Sequence, residues 1–215
     1  DITLSDQNGS CSTHYSYDDL YQLMSEHGIA DHCYTYDSHY NRRLKDGRTH
    51  HYNALHQLLD DGIYTYFYDL NGGLIKRQSE ESVELYEYDA LNRLVSCTCG
   101  DKQVRYVYDE NNRRLSKTVY ILDSNGQSNK GRVELFIYQG QNEIGSVDSN
   151  GKIVELRLIG IGLGAEIGAS VAFELRDKLF IPLHDHNGNV NCLLDASGNA
   201  CETYRFTSFG EELFA

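Results

Sequence analysis

The chain has 215 residues, 40% of them hydrophobic, which is enough apolar surface to fold and excludes a disordered chain. Its net charge of -13 and pI near 5.0 exclude a phosphate-tracking nucleic-acid binder and disfavour an anionic membrane surface, while leaving a basic protein partner or cargo open. Tyr 17, Gly 19, Pro 1 and Trp 0 describe many short strands joined by glycine turns.

In chain order, the start Asp1-Ile2-Thr3-Leu4 carries no basic leader, so no signal peptide is read there, and the chain reads as a piece of a longer polypeptide. No apolar run reaches the roughly 18 residues of a membrane helix. A Tyr-Asp pair or a near variant then recurs at Tyr17-Asp18, Tyr36-Asp37, Tyr52-Asn53, Tyr68-Asp69, Tyr88-Asp89, Tyr108-Asp109 and Tyr138-Gln139. The steps are 19, 16, 16, 20, 20 and 30 residues, the last widened by an insertion near Asp123 to Lys130.

Each unit shares an inner grammar. An aromatic stands two residues before the tyrosine at Tyr15, Tyr34, Tyr66, Tyr86 and Tyr106, so both rings fall on one strand face. An apolar residue lies five after the acidic position at Leu23, Leu58, Leu74 and Leu94; Leu115 lies six after Asp109 and Leu44 seven after Asp37. Between them is a turn, plainest at Asp69-Leu70-Asn71-Gly72 and repeated at Asp6-Gly9, Asp123-Gly126, Asp148-Gly151, Asp185-Gly188 and Asp195-Gly198. The carboxylate can accept backbone N–H bonds inside the turn, and Gly tolerates positive φ, with Asn92 and Asn112 as the next most tolerant type. The unit is therefore a hairpin. Leu20, Leu23 and Met24 between Asp18 and Gly28 have helical spacing, but consistency with the other units favours strand there.

The expected fold is all-β: a long curved antiparallel sheet of hairpins, with tyrosine ladders on one face and their hydroxyls at its polar rim. Residues 1–181 form the repeat region, and residues 182–215 continue the same sheet with a different motif set.

The cysteines Cys11, Cys33, Cys97, Cys99, Cys192 and Cys201 contain no C-x-x-C pair and read as free thiols rather than a metal framework. The turn aspartates read as structural caps rather than as acid/base pairs or a calcium loop. His50-His51 and His184-Asp185-His186 have metal-ligand types, yet His184 and Asp185 occupy the tyrosine and aspartate slots of the repeat. Gly160 to Gly168 lacks the glycines of a dinucleotide fingerprint and reads as a bend. Asn8-Gly9-Ser10 is a lone sequon of little weight.

The grammar Y-x-Y-D-x-x-(G/N)-(R/G)-L resembles the YD repeat of Rhs proteins, toxin-complex C components and teneurins. Tyr86 to Leu94 and Tyr106 to Arg113 carry the resemblance best. Pro182 to Val190, Leu194 to Asn199, Tyr204-Arg205-Phe206 and Phe209-Gly210-Glu211 resemble the start of the Rhs-associated core, with Ser208 where that motif has proline. The resemblance implies a spiralling β-shell, secreted or on a cell surface, around a C-terminal toxin. It implies as partners the rest of the shell, that cargo and delivery proteins, with no cofactor and no catalysis by these residues. The alternative reading is a surface module that binds glycans or receptors through its tyrosines, and a third is a self-cleaving aspartyl site. The repeat positions expected to carry the structure are Tyr17, Asp18, Tyr36, Asp37, Tyr68, Asp69, Gly72, Tyr88, Asp89, Arg93, Tyr108, Asp109, Asp185, Gly188, Asp195 and Gly198.

Overall fold

The computed structural model describes residues 1–6, 9–123, 128–160, 170–185 and 187–214. The Gly160–Gly168 stretch beyond Gly160, the turns after Asp6 and Asp123, and His186 lie outside the described residues. Contacts divide the chain into two compact units, residues 1–84 with 207–209 and residues 85–206 with 210–215.

The described residues form strands and turns, with no helix among them. The strands are β1 (Ile2–Asp6), β2 (Gly9–Tyr17), β3 (Leu23–His27), β4 (His32–Tyr36), β5 (Arg42–Lys45), β6 (Arg48–Thr49), β7 (His51–Tyr52), β8 (Leu58–Asp60), β9 (Thr65–Tyr68), β10 (Leu74–Gln78) and β11 (Val83–Tyr88). They continue as β12 (Leu94–Cys99), β13 (Lys102–Tyr108), β14 (Arg114–Leu122), β15 (Ser128–Gln139), β16 (Asn142–Asp148) and β17 (Ile153–Ile159). The last are β18 (Ser170–Leu175), β19 (Lys178–His184), β20 (Val190–Asp195), β21 (Ala200–Thr203), β22 (Arg205–Phe206) and β23 (Glu212–Phe214). Strands pair in chain order within sheets β1–β6, β7–β21 and β22–β23, and none of the sheets closes on itself. The helical spacing after Asp18 resolves as β3, and β19 runs through residues 181–182 without a break.

Where one continuous sheet was expected, pairing changes hands at His50. Thr49 pairs with Leu44 of β5, the His50 N–H donates to the Arg43 carbonyl at 2.8 Å, and His51 pairs with Asp60 of β8.

The widened step after Tyr108 has a simple cause: β14 and β15 form one extended hairpin. At its far end the tyrosine motif fails to make the usual turn. Gln139 pairs directly with Asn142 across a tight two-residue connection.

Burial alternates along β9, β11 and the end of β13. In β9 the half-buried Tyr66 and Tyr68 flank the exposed Phe67, and in β13 Tyr106 and Tyr108 flank the exposed Val107. A single large apolar side chain is fully buried among the described residues, Tyr34 in the first unit. The buried polar side chains are Glu26, Lys45, His50 and Thr207 in the first unit and Ser96 and Ser146 in the second; Pro182, Gly73 and Gly145 are buried as well. Burying such polar groups costs stability unless they are hydrogen-bonded.

Candidate functional site: the repeat turn and a buried carboxyl group

Among the described residues the repeated turn has one geometry in nine places, beginning at Asp18, Asp37, Asn53, Asp69, Asp89, Asp109, Asp148, Asp185 and Asp195. The first residue's N–H donates to the carbonyl of the fifth, and the fourth residue's N–H donates back to the carbonyl of the first. The first residue's Oδ1 accepts the N–H groups of the third and fifth residues, as at Asp109 from Asn111 at 2.8 Å and Arg113 at 2.9 Å. Asn53 keeps both bonds through its amide oxygen, which explains why it substitutes for aspartate.

Every fourth residue takes positive φ. Gly72, Gly151, Gly188 and Gly198 do so near 80°, and Asn92 and Asn112 near 60°. In the first three turns this slot holds Tyr21, Tyr40 and His56, at φ 60°, 66° and 60°. These bulky residues pay a left-handed penalty that glycine avoids.

The fifth residue closes the turn. Its side chain returns to Oδ2 in Gln22, Asn41, Arg93, Arg113, Asn189 and Asn199. The arginines reach further. Arg93 Nη1 donates to the Asp109 carbonyl at 2.8 Å, and Arg113 Nη1 to the Gly140 carbonyl at 2.9 Å, each in the following repeat. Their guanidinium carbons sit 5.1 Å and 5.3 Å from the ring centres of Tyr108 and Tyr138.

The sixth residue lies opposite the motif tyrosine. Tyr17 pairs with Leu23, Tyr36 with Arg42, Tyr52 with Leu58, Tyr68 with Leu74 and Tyr108 with Arg114. The seventh residue is skipped by the ladder, leaving a β-bulge at Met24, Arg43, Leu59, Ile75 and Leu115. Each bulge adds local twist. Leu115 is thus the exposed bulge residue rather than the inward one, and the inward slot belongs to Arg114. Its guanidinium covers Phe136 at 4.3 Å and Tyr106 at 5.4 Å, so Arg42 and Arg114 use ring stacking where other repeats use leucine.

The motif hydroxyls point to the preceding repeat. Tyr52, Tyr68, Tyr108 and Tyr138 donate to the carbonyls of Arg42, Leu58, Leu94 and Arg114 at 2.8–3.0 Å. Each acceptor is the residue five after the preceding motif's acidic position. Hydroxyl and carbonyl are both paired, which removes two polar groups from solvent without penalty. Burial pushes the Tyr52, Tyr68 and Tyr138 hydroxyls above their ordinary pKa.

Among the other repeat positions singled out in the sequence, Tyr36 lies in β4 with its hydroxyl pKa raised by burial, and Tyr88 ends β11. His184 pairs with Val190 as a motif tyrosine does, and no cluster of three metal-ligating side chains forms among the described residues. Cys33, Cys99, Cys192 and Cys201 are free thiols.

A second arrangement in the first unit escaped sequence reasoning. Glu26 is 3% exposed. Its Oε1 accepts the Tyr34 hydroxyl at 2.5 Å, and its Oε2 accepts the Ser208 N–H at 2.9 Å and the Ser208 hydroxyl at 2.7 Å. The Phe209 ring meets Tyr34 edge-on at 4.9 Å, and the Arg42 guanidinium lies 4.4 Å from the Phe209 centroid. Proline at 208 would have neither N–H nor hydroxyl, so serine there is a specific fit to Glu26. Nearby, Asp61 accepts the N–H groups of Ile63 and Tyr64 and the Tyr66 hydroxyl. Burial, with Asp61 beside it, pushes the Tyr66 hydroxyl far above its usual range.

A turn, a bulge, a hydroxyl stitch and an arginine stitch, repeated in register, define a repeat-built β-sheet wall. The family model for the teneurin YD-shell matches residues 2–213, and the chain belongs to that family. No curated protein matches it. Among solved structures, TcdB2-TccC3-Cdc42 is similar at 16% identity and a TM-score of 0.42, over 94% of this chain. TcdB2-TccC3 without its hypervariable C-terminal region is similar at 14% identity and a TM-score of 0.40, over 99% of this chain. The chain spans 15% of the length of each of those chains.

Proposed function

We propose that this chain is a wall segment of a secreted Rhs-type shell that encloses a toxin cargo on the same polypeptide. It acts as container rather than catalyst. The observation that carries this reading is the repeat-to-repeat stitch: motif tyrosine hydroxyls and the arginines at 93 and 113 hold one hairpin to the next, while the turn carboxylates hold the turns themselves. Six of the eight turn aspartates, all but Asp69 and Asp148, have both carboxylate oxygens engaged by backbone N–H groups and a closing side chain, which leaves them poorly placed for proton transfer or calcium. Its partners in this reading are neighbouring shell segments, the cargo and delivery proteins.

The surface-binding alternative needs tyrosine rings free to stack on sugars. Four motif hydroxyls are committed to backbone carbonyls and two rings are covered by Arg93 and Arg113, which counts against it. A photo-crosslinking residue placed at Phe67 or Val107, and separately at Tyr66 or Tyr106, tests the container reading in the full-length polypeptide. Cargo captured from one face only is the expected result. Capture from neither face refutes enclosure.

A further inference from the structure

The tripeptide Thr207-Ser208-Phe209 folds into the first unit although Ser208 stands 182 positions from its acceptor Glu26. We propose that this tripeptide is an acid-releasable clasp, held by Glu26, Tyr34 and Arg42 and opened when His50 takes up a proton beside Arg42. Arg42 is the pivot, because its guanidinium faces both Tyr34 at 5.6 Å and Phe209 at 4.4 Å.

His50 is 4% exposed, at the point where strand pairing changes hands. Its Nδ1 and one Arg42 guanidinium nitrogen, Nη1, are both buried without a hydrogen-bond partner among the described residues. A neutral imidazole tolerates this, since an unpaired lone pair beside a guanidinium is attracted to it. The protonated ring carries an N–H at both nitrogens. At Nδ1 that N–H finds no acceptor, and a second cation then sits beside Arg42 in a site poor in water.

The charges facing His50 are Arg42, Arg48 and Asp61. Asp61 and a hydrogen bond between His50 and the Arg42 backbone oppose the effect, but the Asp61 carboxylate already accepts Ile63, Tyr64 and Tyr66. Burial, followed by Arg42, holds the His50 pKa below its ordinary 6.5. The sign follows: the opened form binds the proton more readily, so closure is complete above about pH 6.5 and weakens as pH falls below it.

Hydrogen exchange of the whole chain, read by mass spectrometry over residues 203–214 and corrected for intrinsic rate, tests this. From pH 7.5 to 5.5 the protection should fall, because the opened form takes up the His50 proton more readily than the closed form does. His50→Gln should abolish most of that fall. His32→Gln should leave it intact, although His32 also lies against Tyr34 and pairs with Asp46. Ser208→Pro should lower protection at both pH values. An equal fall in native protein and His50→Gln, no fall in native protein, or full protection in Ser208→Pro each overturns the proposal. Should His50→Gln not fold, proton NMR of the native chain decides: the His50 and Phe209 ring signals share one midpoint if they are coupled, and separate midpoints refute the clasp.

Discussion

Replacing an exposed tyrosine with glycine normally destabilises a protein, and at Tyr21 the opposite is expected. Tyr21 is 89% exposed and sits at φ 60°, in the slot that Gly72, Gly151, Gly188 and Gly198 fill in other turns. Holding a non-glycine residue there costs about 1–2 kcal/mol. Glycine removes that cost but loses about 0.5–1 kcal/mol of chain entropy on folding. The balance is a gain of about 0.5–1 kcal/mol for Tyr21→Gly. Tyr40→Gly, at φ 66° and 64% exposed, should give a similar gain. Urea denaturation followed by circular dichroism reads this as a higher midpoint at unchanged slope. Leu20→Gly is the control, since Leu20 lies one residue earlier in the same turn and has no positive φ to relieve; it should lose about 0.5–1 kcal/mol. If Tyr21→Gly lowers the midpoint as far as Leu20→Gly does, the left-handed slot carries no strain and the reasoning fails.

Two further outcomes follow from the same geometry. Gly145, at φ 154° in β16, has the Glu155 carbonyl oxygen 2.2 Å from where a Cβ would stand, so Gly145→Ala should destabilise the second unit by about 1–3 kcal/mol; an unchanged urea midpoint would mean that the strands part without cost. The carboxylates of Asp37, Asp46, Asp61, Asp89, Asp109, Asp148 and Asp195 all lie below their ordinary 3.8. Their folded state therefore binds protons less readily than the unfolded one, and their stabilisation is present above about pH 4 and lost on further acidification; a melting temperature that stayed flat from pH 5 to pH 2.5 would contradict it.

The turns were legible from sequence because every bond that defines them is made within five residues. Asp69 to Gly73 needs no information from elsewhere in the chain, and Asn53 works because its amide oxygen serves as the carboxylate does. The inward slot was legible only where it held leucine. Arg42 and Arg114 fill it by stacking on aromatic rings from other strands, a contact invisible to a polarity pattern, and the bulge after them displaced Leu115 from the place its spacing suggested. Tyr138-Gln139 matched the motif letters but not the turn, because no later residue accepts the closing role. Tyr21, Tyr40 and His56 gave no warning of positive φ, since side-chain identity argues against it. The Glu26 site was beyond reach for a different reason: Ser208 arrives from 182 positions away, and local grammar carries no trace of such a return.

The residue that closes each turn also sets how far its repeat communicates. Among the described residues, asparagine at 189 or 199 bonds through its side chain to the carboxylate of its own turn, whereas arginine at 93 or 113 binds its own turn and then a backbone carbonyl of the next. In a quasi-linear array, stability separates into a part intrinsic to each repeat and a part shared between nearest neighbours. The short amide confines energy to the first part, and the long guanidinium moves some of it into the second. The stretch from Asp89 to Gly140 should therefore melt as one cooperative block, while the asparagine-closed hairpins at 185–199 open one at a time. By exchanging asparagine for arginine at a single turn position, evolution can decide where such a wall unzips without altering its shape.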